Sequence, residues 1–171
     1  MQNHFELFGL APAFALEAEA LERSYRDIQS KVHPDRFAHA GDAERRASLQ
    51  WTTRVNEAYR TLKDPVQRAK HLLELRGVDV AFETNTAMPA DFLVEQMGLR
   101  ESLEKAVETK DAAALDTLRE NLVGEKRALE RRIGESVDAK NDYAGAAGLV
   151  RKLMFLNKLD AEIDLAYEAV E

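Results

Sequence analysis

Apolar residues recur at alternating spacings of four and three along most of this 171-residue chain, and that feature commits it to helices. Leu21, Tyr25, Ile28 and Val32 are separated by 4, 3 and 4 positions, and Trp51, Val55, Ala58 and Leu62 repeat the interval. With about 3.6 residues per turn, each set lies on one stripe of a helix. Two helices with such stripes, joined through His33 to Asp42, pack antiparallel and bury the stripes against each other. Pro34 and Gly41 bracket the joining loop, and Trp51, Val55, Tyr25 and Leu62 are assigned to the core. Phe5, Leu7 and Phe8 predict a short helix lying across the pair. Val66, Ala69, Leu72 and Leu73 predict another that opens at Asp64-Pro65, since proline is accommodated at a first helical position.

From Gly77 to Pro89 the helical period disappears, and a connector is expected over 77–88. Beyond it, three amphipathic segments follow. The first, near 89–110, carries Phe92, Leu99, Leu103, Ala106 and Val107 on one face. The next, near 111–138, carries Leu115, Leu118, Leu122, Leu129 and Ile133, and the last, from about 142, carries Leu149, Leu153, Leu156, Ile163 and Tyr167. Helices of this length joined by short loops make a bundle. The fold class is therefore all-α: an antiparallel helical hairpin with short flanking helices in 1–76, then a three-helix bundle in 89–171.

Composition narrows the chemistry. The absence of cysteine excludes disulfides, thiolate metal sites and cysteine nucleophiles. The 24 Lys+Arg against 31 Asp+Glu leave a net charge of -7, which repels a phosphate backbone, so nucleic acid is not an expected partner. The imbalance is local: residues 1–76 sum to +1 and residues 77–171 to -8. No apolar run approaches the ~20 residues that span a bilayer, and the N-terminal MQNHFELFGL has no basic leader, which predicts a cytoplasmic protein without a membrane partner.

Two features stand out from this scaffold. The first is Lys31-Val32-His33-Pro34-Asp35-Arg36-Phe37, where a proline ends a helix and leaves a carboxylate on a turn. An exposed Asp35 held there is able to accept a bidentate pair from an arginine of another protein, although His-Pro-Asp alone also serves as ordinary turn chemistry. The second is Leu93, Val94 and Met97, which lie off the stripe of their own helix, with Glu101 on the same side. An apolar patch with an acidic rim suits a protein-binding surface; packing against the first portion or the connector is the alternative. Phe155 likewise sits away from the stripe of the last segment.

Residues 1–76 resemble the J domain of co-chaperones that stimulate seventy-kilodalton heat-shock ATPases. His33-Pro34-Asp35 stands between a helix bearing Tyr25-Arg26 and Lys31 and one bearing Asn56-Glu57-Ala58-Tyr59, followed by Asp64-Pro65 and Arg68-Ala69. With HFELFGL at the N-terminus, RAKHLLELRG from Arg68 and VRKLMFLNKL from Val150, nearly the whole chain resembles the HscB family of iron-sulfur co-chaperones. The resemblance implies a non-enzymatic protein whose J domain docks on an HscA-like ATPase and speeds its hydrolysis, while the bundle holds an IscU-like iron-sulfur scaffold. It assigns chaperone binding to His33, Pro34, Asp35 and Arg36, where Arg36 replaces a commoner lysine, with a basic surface from Arg23, Arg26 and Lys31. It assigns scaffold binding to Leu93, Val94, Met97, Glu101 and Phe155, with Gly98 and Lys105 standing where acids are usual. Glu19, Glu22 and Asp27 precede Arg23, Arg26 and Lys31 by four residues, so ordinary surface pairing is an alternative for these bases and an equal reading for Arg23 and Arg26.

Two rival readings stand beside this one. A hydrolase or metal protein built on His33 and Asp35 with His39 or His71 lacks a HExxH pair, a GxSxG nucleophile and a Gly-rich phosphate loop. No metal or other cofactor is expected. A helical adaptor without ATPase stimulation differs from a co-chaperone only in assay.

Overall fold

The computed structural model describes residues 2–80 and 88–171, and all the regular structure in them is helical. They form two compact units, Met1–Leu75 and Arg76–Glu171.

In the first unit, α1 (His4–Leu7) is closed by a reciprocal cap in which the Asn3 side chain accepts from Glu6 N–H and the Glu6 carboxylate accepts from Asn3 N–H. α2 (Ala18–Val32), α3 (Asp42–Lys63) and α4 (Pro65–Leu75) follow, and α3 is the element on which α1, α2 and α4 all pack. α2 and α3 run antiparallel. The Tyr59 hydroxyl donates to Glu22, Tyr25 to Asn56, and Ser48 to the Val32 carbonyl, so advance along one helix is retreat along the other. The rings of Tyr25 and Tyr59 stack at 4.0 Å between the two helices. Asp64 accepts from Gln67 N–H and Pro65 opens α4, as the sequence predicts.

Phe5, Leu21, Val55, Ala58, Leu62 and Leu73 are buried in this unit's core, and Tyr25 is half-buried. Trp51 is not in the core. It is 41% exposed, with the Arg54 guanidinium 5.3 Å from its ring. The reason is where α2 stops. The face of α3 turned to α2 continues from Val55 back through Thr52 and Ser48, whose hydroxyls meet the last carbonyl of α2, so hydrogen bonding rather than apolar contact occupies that end of the face.

The second unit comprises α5 (Ala90–Glu108), α6 (Ala112–Gly134) and α7 (Tyr143–Val170). Phe92, Leu103 and Ala106 from α5, Leu115, Leu122, Leu129 and Ile133 from α6, and Leu149, Leu153, Leu156 and Ile163 from α7 fill its core. Asp111 and Asp142 cap α6 and α7 by accepting from the backbone N–H of Ala114 and Gly145. Immediately before them Lys110 and Asn141 take φ of 51° and 52°, reversing the chain in one residue. α6 leaves α-geometry earlier than its apolar pattern suggests: Glu135–Ala139 continue as a π-type turn, with Lys140 N–H donating to Glu135 O. Arg119 pairs with Asp160 and Asp164, and Lys126 with Asp160, tying α6 to α7. The expected connector falls largely outside the described residues. Of its near end, Val80 is buried and its carbonyl accepts from Arg151 at 3.0 Å.

Candidate functional site

The end of α2 carries the first candidate site. Its last four carbonyls have no intrahelical partner, and Pro34 supplies no N–H. Gln29 O takes His33 N–H at 3.0 Å. Ser30 O, which would have faced the missing proline N–H, takes the Arg36 guanidinium at 3.1 Å. Val32 O takes the hydroxyls of Ser48 at 2.6 Å and Thr52 at 3.2 Å. Beyond the helix, Pro34–Phe37 form a single 3-10 turn in which Arg36 N–H donates to His33 O. Asp35 N–H donates to His33 Nδ1 at 3.2 Å, so that nitrogen is the acceptor in the neutral ring. The Asp35 carboxylate is left outside: its side chain is 92% exposed, and among the described residues it pairs with no lysine or arginine.

The bases of α2 are all exposed, and each is already engaged one turn back. Arg23 meets Glu19 at 3.9 Å, Arg26 meets Glu22 at 3.0 Å and Lys31 meets Asp27 at 2.9 Å. Lys31 and Arg36 lie beside the bend, whereas Arg23 is about 15 Å back along the helix axis at ~1.5 Å per residue. Glu22 also accepts the Tyr59 hydroxyl, and this bond, more than Arg26, holds its carboxyl below the ordinary glutamate range and raises the phenol above its own. Ser48 and Thr52 escaped sequence reading. Their signal was present in the continuation of the Val55 stripe by steps of three and four, but polar residues on a stripe do not register as apolar periodicity.

The second candidate site lies on α5. Leu93, Val94 and Met97 are 41%, 68% and 62% exposed, while Phe92 and Leu103 of the same helix are buried. Of the eight large apolar residues exposed among the described residues, these three fall within five consecutive positions, so this is a patch and not scatter. Glu101 is exposed one turn further on. Phe155 of α7 is half-buried, its ring edge-on to the buried Phe92 of α5 at 6.1 Å. Gly98 and Lys105 are exposed as well. Gln96, on the buried side of α5, was not foreseen; it is 7% exposed and its Nε2 has no hydrogen-bond partner among the described residues. Among the described residues no group of three or more histidine or acidic side chains is arranged to hold a metal ion.

Comparison with known proteins follows the same division. A family model described as "DnaJ domain" matches residues 3–71, and one described as "HSCB C-terminal oligomerisation domain" matches residues 88–164. The chain is 50% identical over 169 residues to a curated co-chaperone protein HscB homolog of Burkholderia thailandensis, covering 99% of this chain and 96% of that one. Among solved structures, chaperone HscB from Vibrio cholerae is similar with a TM-score of 0.88 at 34% identity, covering 99% of this chain and all of the other. The crystal structure of human co-chaperone protein HscB gives a TM-score of 0.91 at 25% identity, covering 96% and 82% of the respective chains.

Proposed function

The chain belongs to the HscB family of J-domain co-chaperones, and on that premise we propose that it stimulates ATP hydrolysis by an HscA-like heat-shock ATPase and delivers an IscU-like iron-sulfur scaffold protein to it. The observation that carries the reading is the Asp35 carboxylate, 92% exposed and paired with no lysine or arginine among the described residues, with only the His33 imidazole near it at 3.6 Å, on a turn whose backbone donors and acceptors are largely satisfied within the protein. Such a group lacks only an external cation, and an arginine of the ATPase supplies two parallel charge-assisted hydrogen bonds. His33 and Pro34 shape the turn. Arg23, Arg26 and Lys31 extend the docking surface, and their exposed pairs with Glu19, Glu22 and Asp27 are weak enough to be exchanged for acids of the partner.

On α5, the scaffold is held by Leu93, Val94 and Met97 with Glu101 at the rim and Phe155 at the margin. These side chains gain by leaving water, at about 25 cal/mol per Å² of apolar surface covered. One chain that carries both surfaces raises the scaffold's effective concentration at the ATPase. The test is the ATPase rate with this protein and the scaffold, each alone and together. The expected result is stimulation by this protein alone and a larger, more than additive stimulation with both. No stimulation under either condition leaves a helical adaptor and refutes the proposal. Any role in the compartment of iron-sulfur assembly follows from that delivery activity.

A further inference from the structure

The way the end of α2 is held shows more than where Asp35 sits. Between the Val32 carbonyl and the Asp35 side chain, Pro34 has its φ fixed by its ring, leaving only a few soft torsions. At the start of this short path, the Val32 carbonyl is gripped by two hydroxyls from another helix, Ser48 and Thr52 of α3. At its far end, Arg36 turns back to the carbonyl of Ser30. The hydroxyls are not helix-surface decoration. Ser48 is 4% exposed, one of only two buried polar residues among those described, and its bond of 2.6 Å crosses to an acceptor 16 residues earlier in the chain. A helix-capping motif confined to α2 would leave the bend free to swing about the end of that helix. A grip from α3 fixes it relative to the hairpin as a whole.

We propose that Ser48 and Thr52 are positioning residues for the docking loop, holding the Val32 carbonyl so that the Asp35 carboxylate is presented to the ATPase in one direction. This rests on the reading of His33-Pro34-Asp35 as the element that activates the ATPase. Loss of both hydroxyls lets the loop populate other directions, and a partner that recognises one of them then binds with an affinity reduced by the fraction competent. The ATPase step itself, once the loop has docked, is unaltered.

The experiment compares wild type, Ser48→Ala/Thr52→Val and Ser48→Ala/Thr52→Ser, with Val66→Ala as a control that weakens the core of the same unit away from the loop. Two quantities are measured on the full chain: the concentration giving half-maximal ATPase stimulation, and the exchange rates of the Asp35 and Arg36 amide hydrogens in the free protein. For the double loss, half-maximal stimulation is expected at about fivefold higher concentration, the equilibrium equivalent of one ordinary net hydrogen bond. The maximal rate is expected to be unchanged, and the two loop amides to exchange faster by a similar factor. Thr52→Ser in the second variant restores most of both, and Val66→Ala shifts neither. A double loss that behaves like wild type or like Val66→Ala in amide exchange overturns the proposal. A wild type that exchanges as expected but gives no ATPase stimulation overturns the functional reading and leaves the positioning role standing on the exchange data.

Discussion

The two candidate surfaces are built on opposite principles. At the end of α2, nearly every polar group of the backbone is tied to a partner inside the protein, and one carboxylate is left exposed with no lysine or arginine beside it among the described residues. On α5 the backbone is an ordinary helix, and three apolar side chains are left over. The first arrangement fixes direction; the second fixes only position and leaves side chains free to repack. A group that must meet one arginine in a defined geometry needs the former, because a bidentate bond is steeply angular. A surface that grips a protein through desolvation tolerates the latter, because apolar contact has no preferred direction.

The sharpest way to break this comparison is Asp35→Asn. The amide keeps the shape and removes the charge, so ATPase stimulation is expected to fall by tenfold or more, the loss of a charge-assisted pair being worth roughly 1.5–3 kcal/mol. Thermal unfolding and scaffold affinity should not move, since Asp35 is exposed and in the other unit. Full stimulation by the variant would show that direction at the bend is not what the ATPase reads. Next in size are Leu93→Ala, Met97→Ala and Phe155→Ala. Each is expected to weaken scaffold binding by about 1–2 kcal/mol in a calorimetric titration, with ATPase stimulation in the absence of scaffold intact. Phe155→Ala also removes the edge-on contact with Phe92, so it alone should lower stability. Unchanged affinity in all three would remove the patch from the function.

The contrast also accounts for what the sequence disclosed. Apolar periodicity located every long helix, and the His33-Pro34-Asp35 bend and the off-stripe Leu93, Val94 and Met97 were legible because each breaks a regular pattern. Trp51 was misplaced because spacing identifies a face without saying where the facing helix ends. Ser48 and Thr52 were invisible because their work is to satisfy a carbonyl, which no side-chain pattern reports. The π-type turn at Glu135–Ala139 has the same origin, since it depends on backbone partners that no side-chain pattern reports, and nothing in the structure explains the burial of Gln96, whose Nε2 has no hydrogen-bond partner among the described residues. At the end of α2 only the exposed charged tip was legible, whereas on α5 the exposure of Leu93, Val94 and Met97 was legible in full.

Gly98 allows the second principle to be sharpened by a smaller change. It lies inside α5 between Met97 and Glu101, and a Cβ added there would meet nothing within 4 Å. Gly98→Ala should stabilise the second unit by about 1 kcal/mol through helix propensity alone and leave scaffold affinity where it was. Gly98→Glu places a carboxylate three residues from both Glu95 and Glu101, and those like charges take back much of the propensity gain at roughly 0.2–0.5 kcal/mol each. Its stability should therefore be close to wild type, while scaffold binding tightens a few-fold if the acidic rim meets basic residues of the partner. Equal scaffold affinity for the Ala and Glu variants would confine recognition to the apolar side chains.

The weakest predicted effect separates the two units by pH. All four histidines lie in the first unit. His4 and His71 stack at 4.3 Å, and His4 N–H donates to His71 Nε2 at 3.3 Å, a bond that needs the neutral ring. Burial pushes both imidazoles below their ordinary range, and His4 lowers His71 further. The unfolded chain then binds protons that the folded unit refuses, so the stability is fully present above pH ~6.5 and is lost as pH falls from there through the lowered folded values. In the second unit the sign is reversed. Glu125 is raised, by burial first and Glu95 second, so falling pH relieves a cost there. Trp51, the single tryptophan, belongs to the first unit, so its fluorescence during thermal unfolding of the full chain follows that unit selectively. Its midpoint should drop by a few degrees between pH 7 and pH 5, and replacing both His4 and His71 by glutamine should flatten the slope. An equal slope in that double variant would assign the acid sensitivity to some other group and leave the stacked pair a packing feature of α1 and α4.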